Sequence, residues 1–518
     1  MAFVGVRIQE ADPCIHDNPD YDNLDYRVHA MAFIGRQIEL GVLADEYASP
    51  VPALIVVYGR RRVGKSRLIQ ESAKGRPSVY FQATKVEPSA NLAQFQAEVA
   101  QSLGADPRVE GISDWSGTLR FLARHAAEKA PGLIVIIDEF PYLVDGDRAL
   151  PSVLQKFWDS GVAEAGALKL VLCGSAIAQM ESLQAESNPL YGRKTRSLDV
   201  APLPLRDAAN FFPDWSDVDK VTAYAIFGGI PHYLRAVDPD VALRDNVLRL
   251  LFTPSGRFVE EPTNILQSEV GRVRRYSSII SAIAHGLNTG SAISNRIPET
   301  KATSGVSPYL ETLTGLRILR RENSMDATPR ERDSRYVVAD PMMAFWHRFV
   351  LPNASAVARD AGIEVMRRQV SPKLSEYMGS AFEEICREHA RSHLQELTGV
   401  PAQEIGQEWG HANFDLDVAG FDLDGRAVFG ECKWTNAAID RTILDKLRRR
   451  ADAARFPRGA TGRVFLLYGR SGFTDDVQTQ AEADPTLHLV DLGDLLRARP
   501  PAPRDEPTED TASEPSPW

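Results

Sequence analysis

The chain has 518 residues, of which 43% are hydrophobic and 25% are charged, a composition typical of a soluble globular protein with roughly three to four domains. No apolar run approaches the roughly 20 residues that span a bilayer, and the N-terminus lacks the basic and apolar regions of a secretory signal. The four cysteines lie far apart without metal-binding spacing. These features argue against a membrane partner and favour the reducing cytoplasm.

The formal charge of −11 is concentrated at the two ends of the chain. Residues 1–30 and residues 501–518 each contribute −4, which leaves the body of the chain at −3. A near-neutral body is compatible with nucleic-acid binding but does not demand it. We expect residues 1–30 to form a flexible extension and the acidic, proline-rich residues 496–518 to be disordered.

Residues 31–204 alternate between apolar runs that predict strands and longer stretches that predict helices. The predicted strands are 54–58, 78–82, 133–137, 168–173 and 197–203. Such alternation is typical of a doubly wound parallel sheet. We therefore predict a multidomain α/β protein that begins with this sheet.

A phosphate-binding loop follows the first predicted strand. It matches G-x-x-x-x-G-K-[ST] and consists of Gly59, Arg60, Arg61, Arg62, Val63, Gly64, Lys65 and Ser66. A helix is predicted to start at Arg67, so the loop has the strand and helix that the motif requires. Its backbone N–H groups would hold the phosphates of ATP, Lys65 would reach the β- and γ-phosphates, and the Ser66 hydroxyl would bind Mg²⁺. The alternative is a chance match in a glycine-rich loop.

Two acidic residues, Asp138 and Glu139, end the third predicted strand. Downstream of a phosphate-binding loop, Asp138 is predicted to hold Mg²⁺ through water and Glu139 to polarise the attacking water. Ser175 follows the next strand, which we expect to lie between the two motif strands, so its hydroxyl can sense the γ-phosphate. The alternatives are a solvated strand end for the acids and a simple turn for Ser175.

Arg193 and Arg196 lie just before the fifth predicted strand. An arginine at this position can complete the site of a neighbouring subunit as a finger, which would require a homo-oligomer. The alternative is a surface or salt-bridged arginine.

Several further motifs carry a family resemblance. They are 33–36 (Phe-Ile-Gly-Arg), 138–139 (Asp-Glu), 174–175 (Gly-Ser), 189–193 (Pro-Leu-Tyr-Gly-Arg) and 228–231 (Gly-Gly-Ile-Pro). Together with the loop, they resemble the archaeal-type ATPases, relatives of the AAA+ and STAND classes, over about residues 31–350. The resemblance implies that Gly35 and Arg36 lie near the adenine and that Pro231 packs on the base from a helical lid, in place of the second sensor. His232 departs from the family pattern.

Residues 205–262 are predicted to form that helical lid, and residues 263–350 to form three helices and a short hairpin. Three helices and a hairpin predict a winged helix-turn-helix. Five arginines would lie on or beside the wing, where they suit contacts with DNA phosphates. They are Arg320, Arg321, Arg330, Arg332 and Arg335. The alternative is a protein–protein spacer, because the same segment contains acids, and His347 is predicted to be a packed histidine.

After a linker at 351–374, residues 375–495 are predicted to form a second α/β domain. Asp417 on one strand and the E-x-K pair Glu431 and Lys433 on the next share a face, because strand side chains alternate. Glu383 on the preceding helix adds a further acid. This is the constellation of the PD-(D/E)xK nucleases, in which Asp417 and Glu431 would bind Mg²⁺ and Lys433 would stabilise charge.

The same region resembles the usual C-terminal domain of the archaeal-type ATPases, a restriction-endonuclease-like domain of the DUF234 type. The alternative keeps this fold but lets the acids form structural ion pairs. Cys432 is predicted to be buried and unreactive. The sequence therefore predicts an ATP-hydrolysing motor or switch coupled to DNA binding and nucleic-acid cleavage. The alternatives are a nucleotide-controlled switch that binds DNA or protein without cleaving it, and a chaperone-like ATPase.

Overall fold

The computed structural model describes residues 33–104, 112–271, 273–297, 305–326, 334–409 and 415–497. The chain divides into two compact units, Met1–Ile34 and Gly35–Trp518. The predicted extension at 1–30, the predicted tail beyond residue 497, and Arg330 and Arg332 of the predicted wing lie outside the described residues. Within those residues, no helix is long and apolar enough to cross a membrane.

The first sheet has five parallel strands in the order β2-β3-β4-β1-β5. They are β1 (Ala53–Tyr58), β2 (Ser78–Gln82), β3 (Ile134–Asp138), β4 (Lys169–Gly174) and β5 (Arg196–Asp199). The near-continuous aliphatic runs of β1, β3 and β4 are buried on both faces, as central parallel strands require. The predicted strands are confirmed, although β5 ends four residues earlier than expected.

Seven helices accompany this sheet among the described residues. They are α1 (Gln37–Ala48), α2 (Lys65–Ser72), α3 (Pro88–Leu103), α4 (Trp115–Lys129), α5 (Phe140–Gly146), α6 (Leu150–Asp159) and α7 (Ile177–Ser182). The apolar faces of α3 to α7 form one core with alternate side chains of the strands. Because the strands are parallel, the residues that follow β1, β3 and β4 meet at one edge of the sheet.

Residues 205–262 are largely helical, and the last helix of this segment continues to Val270, beyond the predicted boundary. Its helices are α8 (Leu205–Ala208), α9 (Asp217–Phe227), α10 (Pro231–Leu234), α11 (Leu243–Leu251) and α12 (Glu261–Val270). Proline stands in the first turn of α10 and α12, where its missing N–H leaves no helical hydrogen bond unmade.

Three helices and a hairpin follow at the predicted places. They are α13 (Val273–Ala284), α14 (Gly290–Arg296), α15 (Ser307–Gly315), and the antiparallel strands β6 (Leu319–Glu322) and β7 (Arg335–Val338). The three helices and the base of the hairpin share a separate core. Short helical segments then lead onward: α16 (Pro341–Phe345), α17 (Ala354–Val357) and α18 (Gly362–Val365). Between them lie π-helical turns at Trp346–Val350 and Met366–Val370 and a 3-10 turn at Leu351–Asn353.

The C-terminal region is a mixed sheet in the order β12-β11-β10-β9-β8, preceded by the 28-residue helix α19 (Ser371–Thr398). The strands are β8 (Ala402–Trp409), β9 (Asp415–Asp422), β10 (Ala427–Lys433), β11 (Arg463–Gly469) and β12 (Leu487–Val490). Strands β8, β9 and β10 are antiparallel, whereas β10, β11 and β12 are parallel. Helix α19 and α22 (Leu492–Leu496) pack on one face, and α20 (Arg441–Ala453) and α21 (Asp475–Ala483) pack on the other.

Two contacts attach this C-terminal sheet to the preceding segments. Leu205, Val221 and Ala225 of the lid belong to the same hydrophobic core as α19. The residues after β6 run along strand β8, where Met325 N donates to Gln407 O at 3.0 Å and Gln407 Nε2 donates to Glu322 Oε2 at 2.6 Å. The hairpin therefore covers an edge of the C-terminal sheet.

Candidate functional site

The predicted phosphate-binding loop lies at the carboxyl end of β1 and leads directly into α2. Gly59 has a φ of 151°, and a Cβ there would lie 2.3 Å from Val200 O, so only glycine fits. Gly64 has a φ of 93° and caps α2. The loop thus directs the N-terminus of α2 toward the edge where β3 and β4 also end, as phosphate binding requires.

Lys65 is buried at this loop. Its Nζ donates to Gly59 O and to Arg60 O, both at 2.9 Å. Burial lowers the pKa of Lys65, against the opposing effect of nearby Glu139 and Asp138. The ammonium is therefore held at the loop within the electrostatic reach of both predicted acids.

The predicted magnesium ligands share a neighbour that the sequence did not reveal. The Tyr80 hydroxyl donates to Asp138 Oδ2 at 2.8 Å and is also hydrogen-bonded with Ser66. Glu139 N donates to Asp138 Oδ1 at 2.9 Å. A serine hydroxyl and a carboxylate around one atom are oxygen ligands of the kind that Mg²⁺ prefers, so the residues fit this ion.

Glu139 occupies left-handed backbone, with a φ of 52°. The Ser175 hydroxyl lies 3.0 Å from both of its carboxylate oxygens and shares its single proton between them. Strand β4, which Ser175 follows, lies between β1 and β3 as expected. The structure thus brings together Lys65, Asp138, Glu139 and Ser175.

Residues implied by the family resemblance lie beside the same loop. Arg36 donates to Val63 O at 3.0 Å and to Ala201 O at 2.6 Å, and it pairs with Glu39 at 2.7 Å. A Cβ on Gly35 would lie 2.5 Å from Asp207 Oδ2, so the chain needs glycine there. These contacts fix the 35–36 turn between the loop and the lid.

The lid approaches the loop from its other side. Pro231 Cγ lies 3.7 Å from the position of a Cβ on Gly64. The ring of His232 packs against Phe258, with ring centroids 6.0 Å apart. Burial, together with Arg62 and Arg257, lowers the pKa of His232 to about 4, so this departure from the family pattern is a neutral histidine.

Two predicted arginines have partners within the chain. Arg193 forms a two-pronged ion pair with Asp159, at 2.7 and 2.8 Å, and donates to Pro189 O and Tyr191 O. Arg196 pairs with Glu46. Arg193 therefore takes the salt-bridged arrangement, and a finger role would require it to leave Asp159. Arg67 lies on the exposed side of α2 near Glu71.

The three consecutive arginines of the loop each pair with an acid far along the chain. Arg60 contacts Asp340 at 2.9 Å, Arg61 contacts Glu269 at 3.1 Å, and Arg62 contacts Glu261. The Arg60–Asp340 pair is nearly buried. Sequence reasoning missed these acids, although three adjacent cations in a well-packed loop are a signal that compensating carboxylates lie nearby.

A second cluster forms where β9 and β10 lie side by side. Gly430 lies opposite Val418, so Asp417 and Glu431 are neighbours at the end of the pairing. Asp417 Oδ2 accepts from Cys432 N at 2.8 Å. Burial raises the pKa of Glu383, and the charge of nearby Asp417 raises it further.

Glu431 is almost fully buried and has a cation on each oxygen. Lys433 Nζ lies 2.6 Å from Oε1, as the E-x-K spacing predicts, and Arg450 Nη1 lies 2.6 Å from Oε2. Among the described residues, no group of three His, Cys, Asp or Glu side chains is arranged to hold a metal ion. As arranged, this pair of acids does not fit a divalent cation, because Lys433 and Arg450 occupy both carboxylate oxygens of Glu431.

Cys432 is buried and hydrogen-bonds with Cys386 on α19. Burial raises the pKa of the Cys432 thiol well above its usual value. A buried thiol with a raised pKa is a poor nucleophile, which agrees with the prediction for this residue.

The described arginines of the predicted wing contact other parts of the protein. Arg320 pairs with Glu322 and with Glu384 of α19, at 2.6 and 2.7 Å. Arg321 donates to Ser334, and the Arg335 guanidinium lies 4.4 Å from the ring centre of Trp409. Arg320, Arg321 and Arg335 thus each have a partner within the chain, and DNA contact by the wing stays a prediction.

The comparisons agree with this two-part organisation. Residues 33–237 match a family described as an ATPase domain predominantly from Archaea, and residues 346–447 match DUF234, described as archaeal and bacterial proteins of unknown function. An uncharacterized protein of Methanocaldococcus jannaschii is 30% identical over 417 residues, which cover 78% of this chain and 87% of that protein.

Two solved structures are similar to part of the chain. The Walker-type ATPase of Pyrococcus abyssi is 20% identical, with a TM-score of 0.48, covering 61% of this chain and 96% of that one. The ORC2 protein of Aeropyrum pernix, in ADPNP–ADP complexes, is 14% identical, with a TM-score of 0.44, covering 66% and 98%. On its motifs, its two domain matches and its relative in Methanocaldococcus jannaschii, the chain belongs to the archaeal-type ATPases that carry a C-terminal DUF234 domain.

Proposed function

We propose that this ATPase is a nucleotide-controlled switch, in which hydrolysis at the 59–67 loop changes the attachment of the hairpin and the C-terminal domain. The observation that carries the proposal is the set of three ion pairs between the loop arginines and acids outside the ATPase sheet. A loop that rearranges around phosphates must rearrange these pairs too. Nucleotide state would therefore reach residues 261–340 directly.

The roles in hydrolysis follow from the positions of the side chains. Lys65 would exchange its two loop carbonyls for phosphate oxygens, and Ser66 and Asp138 would hold Mg²⁺. When bound, this ion supplies positive charge that offsets the charge of the phosphates. Glu139 would accept a hydrogen bond from the attacking water, and the Ser175 hydroxyl would orient the Glu139 carboxylate. Gly35, Arg36 and Pro231 would border the adenine.

The contacts beyond the loop suggest how the signal travels. Asp340, the partner of Arg60, follows β7 by two residues and caps α16 by accepting from Met343 N at 3.1 Å. The hairpin of β6 and β7 in turn reaches α19 through the Arg320–Glu384 pair. A change at Arg60 would thus be transmitted along the hairpin to the helix that carries Glu383.

The test is hydrogen exchange with ADP and with a non-hydrolysable ATP analogue. We expect the analogue to change exchange at 319–338 and in α19, and we expect Asp340→Asn to abolish that change while retaining the helix cap. Asp114→Asn, the same substitution at the cap of α4, is the matched control. Identical exchange in both nucleotide states of the wild type would contradict the switch.

A second candidate is nucleic-acid cleavage at Glu383, Asp417, Glu431 and Lys433. It is favoured by the order of elements, a helix followed by three antiparallel strands, a helix and a parallel strand, with these residues on α19, β9 and β10. Cleavage would require Arg450 to leave Glu431. The test is to incubate the wild type and the Glu431→Gln variant with DNA and RNA in Mg²⁺ or Mn²⁺, with and without ATP. Intact substrates in every condition would remove this candidate.

We also propose that α13, α14, α15 and the β6–β7 hairpin form a winged helix whose wing joins domains. Its docking on β8 favours this role over direct phosphate contact by the wing arginines. Nucleic acid remains the proposed partner of the helices and of the C-terminal domain. A homo-oligomer with Arg193 as a finger is proposed only for a state in which Arg193 has left Asp159.

A further inference from the structure

Arg450 stands out because it completes the charge balance around Glu431. It belongs to α20, whereas the acids lie on α19, β9 and β10. Its Nη1 lies 2.6 Å from Glu431 Oε2, while Lys433 holds the other oxygen at the same distance. A carboxylate that is almost fully buried is thereby neutralised from two sides, by one expected cation and one unexpected cation.

Glu431 meets two cations before any metal ion binds. Its single negative charge faces the positive charges of Lys433 and Arg450, one on each carboxylate oxygen. A divalent cation brought to Glu431 would meet Lys433 and Arg450 at short range, where charges interact strongly because little water screens them. Removing Arg450 alone would leave Glu431 paired with Lys433 only and would free one carboxylate oxygen.

We infer that Arg450 acts as an internal counter-ion that excludes divalent cations from Asp417 and Glu431. This inference rests on the proposed cleavage site, and it adds how that site is regulated. The guanidinium is suited to the task because it is permanently charged and makes strong, directed hydrogen bonds with carboxylates. In the resting protein, the C-terminal cluster therefore holds an arginine in place of a metal ion.

The experiment is Mn²⁺ binding to the full chain without nucleotide, followed by electron paramagnetic resonance and calorimetry. We expect Arg450→Gln to bind one Mn²⁺ at least about tenfold more tightly than wild type. Adding Asp417→Asn to this variant should abolish the gain. Arg448→Gln is the matched control, since Arg448 lies on the same helix and pairs instead with Asp484 at 2.9 Å.

Two outcomes would overturn the inference: equal Mn²⁺ affinity in wild type and Arg450→Gln, or a gained site that survives loss of Asp417. Unchanged ATP hydrolysis checks that Arg450→Gln is folded. If that variant misfolds, Arg450→Lys provides the second test, because it keeps the charge and should keep the exclusion. Since the readout is metal binding, a wild type that cleaves nothing would remove the cleavage proposal without deciding this one.

Discussion

Lys65 and Glu139 define the nucleotide site at the scale of single residues. Lys65→Ala should abolish tight ATP binding, because it removes the buried ammonium of the loop. Glu139→Gln should bind ATP and fail to hydrolyse it, because the amide cannot accept a proton from water. Calorimetry with ATP and a phosphate-release assay separate the two effects. Normal turnover in Glu139→Gln would show that another residue is the catalytic base.

Ser175 is the next residue at this site. Ser175→Ala should lower kcat about tenfold or more and leave KM for ATP nearly unchanged, because both oxygens of Glu139 lose the hydroxyl that orients them. Steady-state kinetics measure the effects on kcat and on KM separately. Ser182→Ala, whose hydroxyl donates to Gln179 O at the end of α7, is the control and should behave as wild type.

His347 gives a prediction about pH. It is fully buried, and both ring nitrogens lack hydrogen-bond partners among the described residues. Burial, with a smaller effect of His285, lowers its pKa from 6.5 to about 3. The unfolded chain therefore takes up a proton before the folded one, so stability present above pH 6.5 is lost as the pH falls toward 3.

At pH 5, this loss should amount to about 2 kcal/mol relative to neutral pH. His347→Leu should remove that part of the pH dependence, as measured by urea unfolding at pH 5 and pH 7.5. His285→Gln, at an exposed position, should keep it. An unchanged pH dependence in His347→Leu would show that the ring is already protonated or hydrated.

At the scale of elements, the apolar runs were sufficient to predict the strands. Buried parallel strands need continuous aliphatic side chains, and the predicted runs before Gly59, Asp138 and Ser175 supplied them. The side-chain period of two likewise placed Glu431 and Lys433 on one face. Arg450 and Asp340 could not be predicted this way, because their partners depend on packing between segments that local patterns do not encode.

The phosphate-binding loop provides a prediction at this scale. Gly59→Ala should abolish ATP binding and destabilise the protein by roughly 2 to 4 kcal/mol, since the added Cβ would press on Val200 O in a strained backbone. Gly41→Ala is the control, because it lies in α1 with nothing within 4 Å of the new carbon. Thermal unfolding of both variants, with and without ATP, measures their stability and its increase on ATP binding.

At the scale of the whole molecule, the described residues from Gly35 onward belong to one compact unit. The lid and α19 share a hydrophobic core through Leu205, Val221 and Ala225. We therefore expect the ATPase and C-terminal regions to unfold together, and ATP to raise the melting temperature of both. Scanning calorimetry and hydrogen exchange together test whether the two regions unfold in one transition. Two separate transitions, with only the first shifted by ATP, would contradict it.

The docking of the hairpin on β8 has a consequence for assembly. Strand β8 is the last strand of its sheet, and a bare last strand exposes backbone groups that can pair with a strand of another chain. The Met325 N–H donates to the Gln407 carbonyl and so pairs one of these backbone groups. Any state in which the hairpin leaves β8 would expose the unpaired backbone groups of this edge strand. The released form would then tend to self-associate or to bind an extended peptide. The resting contact is therefore also a protection against aggregation.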